Sequence, residues 1–212
     1  MIRSLEPELM DSPEVAGPVL DRFHRDLKFI NKCLGTFPTI ERFIRADDRP
    51  VRRVLDIGCG GGALLAYLRR RMGVEVIGVD QKPPPTTAAP VIEADAVTDK
   101  LPDADVAVCT LTAHHLTPEQ IVALIRNVSR SARRFIIHDL IRHPLPLALF
   151  TVFLCPLIGK EAAADGKLSI RRAYTPEELT EIARAGVAGT NGRFMLDVSQ
   201  FRSRQIVDIR FG

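Results

Sequence analysis

The run Val54-Leu55-Asp56-Ile57-Gly58-Cys59-Gly60-Gly61-Gly62 carries an apolar strand to an acid and then into a glycine turn. Glycine reaches positive φ without steric cost, so the backbone can close on a ligand, and a helix opening at Ala63-Leu64-Leu65 aims free N–H groups at the same place. This is the chemistry of a nucleotide cradle. Asp80 ends a second apolar run, Val74 to Val79, where a carboxylate accepts hydrogen bonds from ribose hydroxyls. Gly58, Gly60 and Ala63 also satisfy the dinucleotide fingerprint G-x-G-x-x-G/A, so these residues alone do not separate a nicotinamide dinucleotide from another nucleoside cofactor. Proton transfer is the second chemistry. Thr112-Ala113-His114-His115-Leu116 sets two imidazoles side by side, and His138-Asp139 offers another imidazole beside a carboxylate. Histidine titrates in the range a general base needs.

Alternating strands and helices must hold these residues. Val54–Ile57, Val74–Asp80, Val91–Ala96, Asp103–Thr110 and Arg134–Asp139 read as buried strands. Leu64–Met72 reads as a helix, and Thr117-Pro118 and Thr175-Pro176 read as capped helix starts, threonine at the cap and proline in the first turn. Phe194–Val198 and Gln205–Ile209 follow as a closing hairpin. Such an order predicts an α/β fold with a parallel-dominated, doubly wound sheet and helices on both faces. The fourth strand then delivers the two histidines to the carboxyl edge of the sheet, where open α/β folds bind ligands.

Asp56, Gly58, Gly60 and Gly62 together read Asp-x-Gly-x-Gly-x-Gly, and with Asp80 and the strand ending at Asp95 the chain resembles the class I S-adenosylmethionine-dependent methyltransferases. The resemblance implies a Rossmann-like sheet of seven strands with an antiparallel last strand, which suits the closing hairpin better than an all-parallel dinucleotide fold does. It implies S-adenosyl-L-methionine as cofactor, with Asp80 on the ribose and Asp95 on the adenine amino group, and Cys59, Gln81, Ala96 and Thr110 lining the same site. Read without it, Asp95 caps a turn with Thr98 and Asp99. Pro7 to Pro13, Leu27 to Gly35, His138 to Arg142 and Asp165 to Tyr174 resemble a small bacterial branch of these enzymes, similar to the ubiquinone methyltransferases, some of whose members sit near polyketide-type biosynthesis. That implies a small hydrophobic acceptor, phenolic or polyketide-like. Methyl transfer to a hydroxyl requires alignment and loss of a proton, for which His115 is the leading candidate, with His114 and His138 beside it. Carbon methylation of a quinone-type ring and a non-catalytic nucleoside-binding module are the alternatives.

Composition narrows the partners. The 212 residues, 46% of them hydrophobic, suit one α/β domain: an amino-terminal helical arm (1–50), a cofactor-binding core (51–140), an apolar substrate-side insertion (141–172) and a carboxyl-terminal helix and hairpin (173–212). A net charge of +3 is spread over arginine pairs expected at solvated edges, Arg133-Arg134 among them, and the chain has no tryptophan, so a base-stacking nucleic-acid surface is not expected. Cys33, Cys59, Cys109 and Cys155 have no zinc spacing and read as reduced and buried, so no metal and a cytoplasmic location are expected. No leader-like apolar run opens the sequence. Leu20, Phe23, Leu27, Ile30 and Leu34 recur at helical spacing before Gly35, giving an arm expected to pack over the cofactor mouth. His143 to Gly159 is apolar but proline-interrupted and too short to span a bilayer. It reads as core helix or as the wall of an apolar substrate pocket; membrane-surface contact is disfavoured by the lack of a basic polar face.

Overall fold

The computed structural model describes residues 1–9 and 18–212, so Met10 to Pro13 of the arm lie outside the described residues. Seven strands form one sheet in the order β3-β2-β1-β4-β5-β7-β6: β1 (Arg53–Ile57), β2 (Glu75–Asp80), β3 (Val91–Glu93), β4 (Ala104–Thr110), β5 (Ala132–Leu140), β6 (Gly192–Val198) and β7 (Arg204–Phe211). The first five run parallel, and β7 inserts antiparallel between β5 and β6. The order reverses between β1 and β4, which opens a crevice at their carboxyl ends.

Helices cover both faces. On one, α4 (Pro118–Val128) and α7 (Pro176–Val187) bury Ile121, Leu124, Leu179 and Ile182 against Leu55, Cys109, Phe135 and Val207. Both helices begin with complete capping boxes, from Thr117 with Gln120 and from Thr175 with Glu178. On the other face, α2 (Thr36–Arg45) and α3 (Ala63–Met72) bury Ile40, Ile44, Leu64 and Leu68 against Val54, Val106, Val108 and Ile136. Each such side chain is worth about 1.5–3 kcal/mol when fully buried, so β1, β4 and β5 are rigid supports for whatever their ends carry.

The arm departs in part from a continuous helix. α1 (Pro18–Cys33) and α2 meet at Gly35, whose φ of 60° suits glycine, but residues 1–8 form neither helix nor strand. The side chains of Leu20 and Phe23 also fall outside those described.

The apolar segment corrects the core-helix expectation. It forms α5 (Pro144–Leu149), a wide π-helical turn at Phe150–Leu154 and a short 3-10 turn at Cys155–Leu157 before α6 (Lys160–Arg172). Phe150 is buried with Leu140 and Ile170, while Val152, Phe153 and Leu157 are 63–64% exposed. Prolines 144, 146 and 156 break the spacing that would have set one continuous face against the sheet.

Two further expectations are revised. Cys109 is buried, but Cys59 and Cys155 are only partly so and Cys33 is exposed; all four are free. Arg134 is 2% exposed rather than solvated, held by Asp208 at 2.7 and 2.8 Å and by Asp47 at 3.1 Å.

Candidate active site

The glycine loop leaves β1 at Gly58 and enters α3 at Gly62. Gly58, Gly60 and Gly62 all have positive φ. A Cβ at Gly58 would overlap the Thr112 side chain, whereas at Gly60 it would meet nothing within 4 Å, so the loop is closed against β4 and open above Gly60. Asp80 Oδ2 accepts the Gly60 N–H at 2.8 Å and Oδ1 accepts the Lys82 N–H at 2.9 Å. It ties the loop to β2 while standing where a ribose would lie. Asp56 is buried, and no described donor is hydrogen-bonded to its carboxylate; burial, and secondarily the Asp80 charge, push its pKa up to about 8. A buried carboxylate without a partner, beneath a glycine loop with open space above, fits a cofactor that brings a nucleoside and positive charge. Burial also pushes the Cys59 thiol up, so it is a packing group in the turn.

Four polar side chains converge past the end of β4. Leu111 holds a positive φ of 56°, and Thr112 packs on Gly58, which carries the chain from the glycine loop into the short turn Ala113–His115. Asp139 of β5 accepts from the His114 backbone N–H and lies against His114 Nδ1, both at 2.7 Å, and also accepts the Leu140 N–H. Glu8 arrives from the irregular amino-terminal segment, Oε1 3.6 Å from His114 Nε2 and Oε2 3.8 Å from His115 Nε2. Ser169 of α6 donates to Glu8 Oε1 at 2.8 Å. Arg3, stacked 4.0 Å over the Tyr174 ring, donates to the carbonyls of His114 and Leu116 and pins the turn from above.

The electrostatics divide the histidines. Burial works against the charged form of His114, but Asp139 and then Glu8 overcome it and raise its pKa to about 9, so it is an imidazolium at neutral pH and not a base. Burial likewise works against the Glu8 and Asp139 carboxylates, and the imidazoles and hydrogen bonds around them still hold both below the usual range. His115, with 27% of its side chain exposed, is the imidazole of the pair that a substrate can reach. His138 is not part of the cluster: burial, then Arg204, lower its pKa to about 4, and its Nδ1 has no hydrogen-bond partner among the described residues. Asp139 therefore orients His114, not its neighbour His138, and Arg142 pairs with Glu178 rather than Asp139. Thr110, in register with His138, likewise has a buried Oγ1 with no partner among the described residues.

Around the cradle, Gln81 is exposed just past β2 and Ala96 is buried. Asp95 lies beyond β3, which ends at Glu93; its Oδ1 accepts the Val97 N–H and its carbonyl accepts those of Thr98 and Asp99, the cap geometry in full. Arg171 lines an open groove of about 560 Å³ with Glu6, Glu8, Leu9 and Asp165, a groove that no glycine-loop residue joins. Glu8 was missing from the sequence reading because its partners lie at the far side of the cofactor core. The segment Pro7 to Pro13, which contains Glu8, was the available signal.

The fold is an open α/β sheet with a glycine loop and a carboxylate tied to it at the carboxyl ends of β1 and β2. Residues 55–137 match the methyltransferase domain family. The matched segment holds the glycine loop, Asp80 and the histidine turn, and a domain of this type indicates S-adenosylmethionine as the cofactor. It is 37% identical over 102 residues to trans-aconitate 2-methyltransferase of Mycobacterium tuberculosis, a match covering 45% of this chain and 39% of that relative. It is 28% identical over 185 residues to the ubiquinone biosynthesis O-methyltransferase of Aeromonas salmonicida, covering 76% of this chain and 74% of the other. In fold it is similar to the plantazolicin methyltransferase BpumL in complex with a desmethyl substrate analogue and SAH, with a TM-score of 0.67 over 89% of this chain and 90% of that one at 12% identity.

Proposed function

We propose that this chain transfers a methyl group from S-adenosylmethionine to an oxygen of a small hydrophobic acceptor, phenolic or polyketide-like. The observation that carries the reading is the placement of His115 and Glu8 at the end of β4, one turn from the glycine loop that Thr112 closes. Asp56, Gly60 and Asp80 would hold the cofactor, which supplies an electrophilic methyl group when bound. The loop and Asp80 orient it, and the apolar segment helps exclude water: Leu147 and Leu154 pack in one cluster with Leu111, at the turn that carries the histidines. His115 takes the acceptor hydroxyl proton, with the Glu8 carboxylate 3.8 Å away favouring the imidazolium that results. His114, already charged and held by Asp139, positions its neighbour. An acceptor oxygen is also the site of reaction in the name of the Aeromonas relative, which supports oxygen over carbon.

Incubation with methyl-labelled cofactor and a panel of hydroxylated aromatic and polyketide-like acceptors tests the reading. A labelled product carrying the methyl on oxygen is expected, and His115→Ala should slow turnover by roughly 10²–10⁴-fold with cofactor affinity little changed. Label on a ring carbon, with turnover indifferent to His115, would replace oxygen by carbon transfer. Cofactor binding with no labelled product from any acceptor would leave a nucleoside-binding module.

A further inference from the structure

We propose that Glu8, His114 and His115 form a binding site for a divalent first-row transition cation at the carboxyl end of β4. One carboxylate oxygen and two imidazole nitrogens lie within 4.8 Å of one another, and the carboxylate is 3.6 Å from one nitrogen and 3.8 Å from the other. Those separations are too long for hydrogen bonds. They are close to the edge of a coordination polyhedron: two ligands each about 2.1 Å from a tetrahedral ion stand ~3.4 Å apart. The donor set of two histidines and one carboxylate suits zinc, iron, cobalt or manganese rather than magnesium, and three protein ligands leave coordination positions open.

The surroundings are those of a built site. Asp139 engages His114 Nδ1 at 2.7 Å, which turns Nε2 toward Glu8 and supplies the carboxylate–histidine support common behind metal-ligating imidazoles. Ser169 fixes Glu8 Oε1, and Arg3 fixes the backbone of the histidine turn. Glu8 and Asp139 bring two negative charges into buried positions, so a dication with both imidazoles neutral balances the cluster. Access comes from the His115 side, the more exposed member. Nothing in the cysteine pattern pointed to a metal, because these ligands are two adjacent histidines and a glutamate from the other end of the folded chain. The task of the bound cation, though not its binding, rests on the methyl-transfer reading: an acceptor hydroxyl in an open coordination position would be acidified there and lose its proton to solvent on the exposed side, with His115 serving as ligand in place of base.

Cobalt(II) titration of the chelator-stripped full chain, followed by visible absorbance and calorimetry, tests this without turnover. S-adenosylhomocysteine binding in the same samples reports the folded state. One Co²⁺ per chain, displaced by Zn²⁺, is expected. Glu8→Gln and His115→Gln should each weaken it about tenfold or more, and Asp139→Asn by ~10–100-fold, with S-adenosylhomocysteine still bound. No stoichiometric cobalt, or cobalt affinity unchanged in both ligand variants, overturns the site and leaves His114 as an imidazolium between two carboxylates. If Glu8→Gln loses S-adenosylhomocysteine binding as well, His115→Gln, at a partly exposed side chain, decides. Cobalt bound at these residues with no methylated product upholds the site and defeats the methyl-transfer reading. Product formed with no cobalt site does the reverse.

Discussion

Replacing Asp56 by Asn should make this protein more stable and a worse binder of its cofactor. The carboxylate is buried, no described donor reaches it, and its pKa is pushed from an ordinary 3.8 to about 8 by burial and then by Asp80. A group whose folded pKa is raised contributes fully below its unfolded pKa, and that contribution is lost as pH rises through the folded one. The loss therefore begins near pH 4 and is complete just above pH 8. At pH 7 it spans about three pKa units at 1.36 kcal/mol each, roughly 4 kcal/mol, which the isosteric neutral amide does not suffer. Urea denaturation of both proteins from pH 4 to 8.5 gives the comparison, with other titrating groups cancelling between them. The curves should coincide near pH 4 and separate with rising pH, the variant unfolding at higher urea with an unchanged slope on denaturant. S-adenosylmethionine, whose ammonium and sulfonium suit an anionic cradle, should narrow the gap by stabilising the wild type more. Equal midpoints at pH 5 and pH 8 would refute the claim that Asp56 is held without a partner.

Gly58→Ala should abolish cofactor binding and cost about 1–3 kcal/mol in thermal unfolding, since the methyl group would enter Thr112 at a φ of 68°. Arg134→Ala should destabilise by about 3–5 kcal/mol in denaturant because it strands Asp208 in a buried position, while Asp47 keeps Arg133 at 2.6 Å; the same substitution should leave cofactor affinity per folded molecule unchanged. Asp80→Ala should weaken cofactor binding by about 1.5–3 kcal/mol by calorimetry, and amide exchange at Gly60 and Lys82 should accelerate because both N–H groups lose their acceptor.

The cradle was legible in the sequence because its parts are local. Asp56 and the glycines are contiguous, Asp80 ends the next strand, and periodicity places both at the same sheet edge. The capped starts of α4 and α7 were legible for the same reason: a threonine, a proline and a glutamine or glutamate within one turn carry the whole signal. The cluster was only half legible. The histidine pair stood out, but Asp139 looked like a partner for His138, since adjacency in sequence says nothing about which face a side chain takes. In a strand, successive side chains point to opposite faces, so His138 and Asp139 cannot share one. Asp139 turns toward the β4 turn and meets His114, while His138 joins the face of Thr110 and Ile136. The exposed apolar segment failed for a different reason: hydropathy registers residue type, and the prolines that set each side chain's direction leave hydropathy untouched.

Asp56 and Asp139 sit at comparable depth near the carboxyl ends of β1 and β5 and burial works against both charges, yet their pKa values move in opposite directions. Three donors hold Asp139 ionised, two of them backbone N–H groups and the third an imidazolium, so its charge is already committed to fixing His114. Asp56 has none among the described residues, and its pKa rises instead. The contrast separates support from reception: a satisfied buried carboxylate holds another group in place, while an unsatisfied one is relieved by whatever positive charge enters beside it. By that reasoning the β1 end is where a cationic cofactor gains affinity, and the β4–β5 end is where geometry is set for the acceptor.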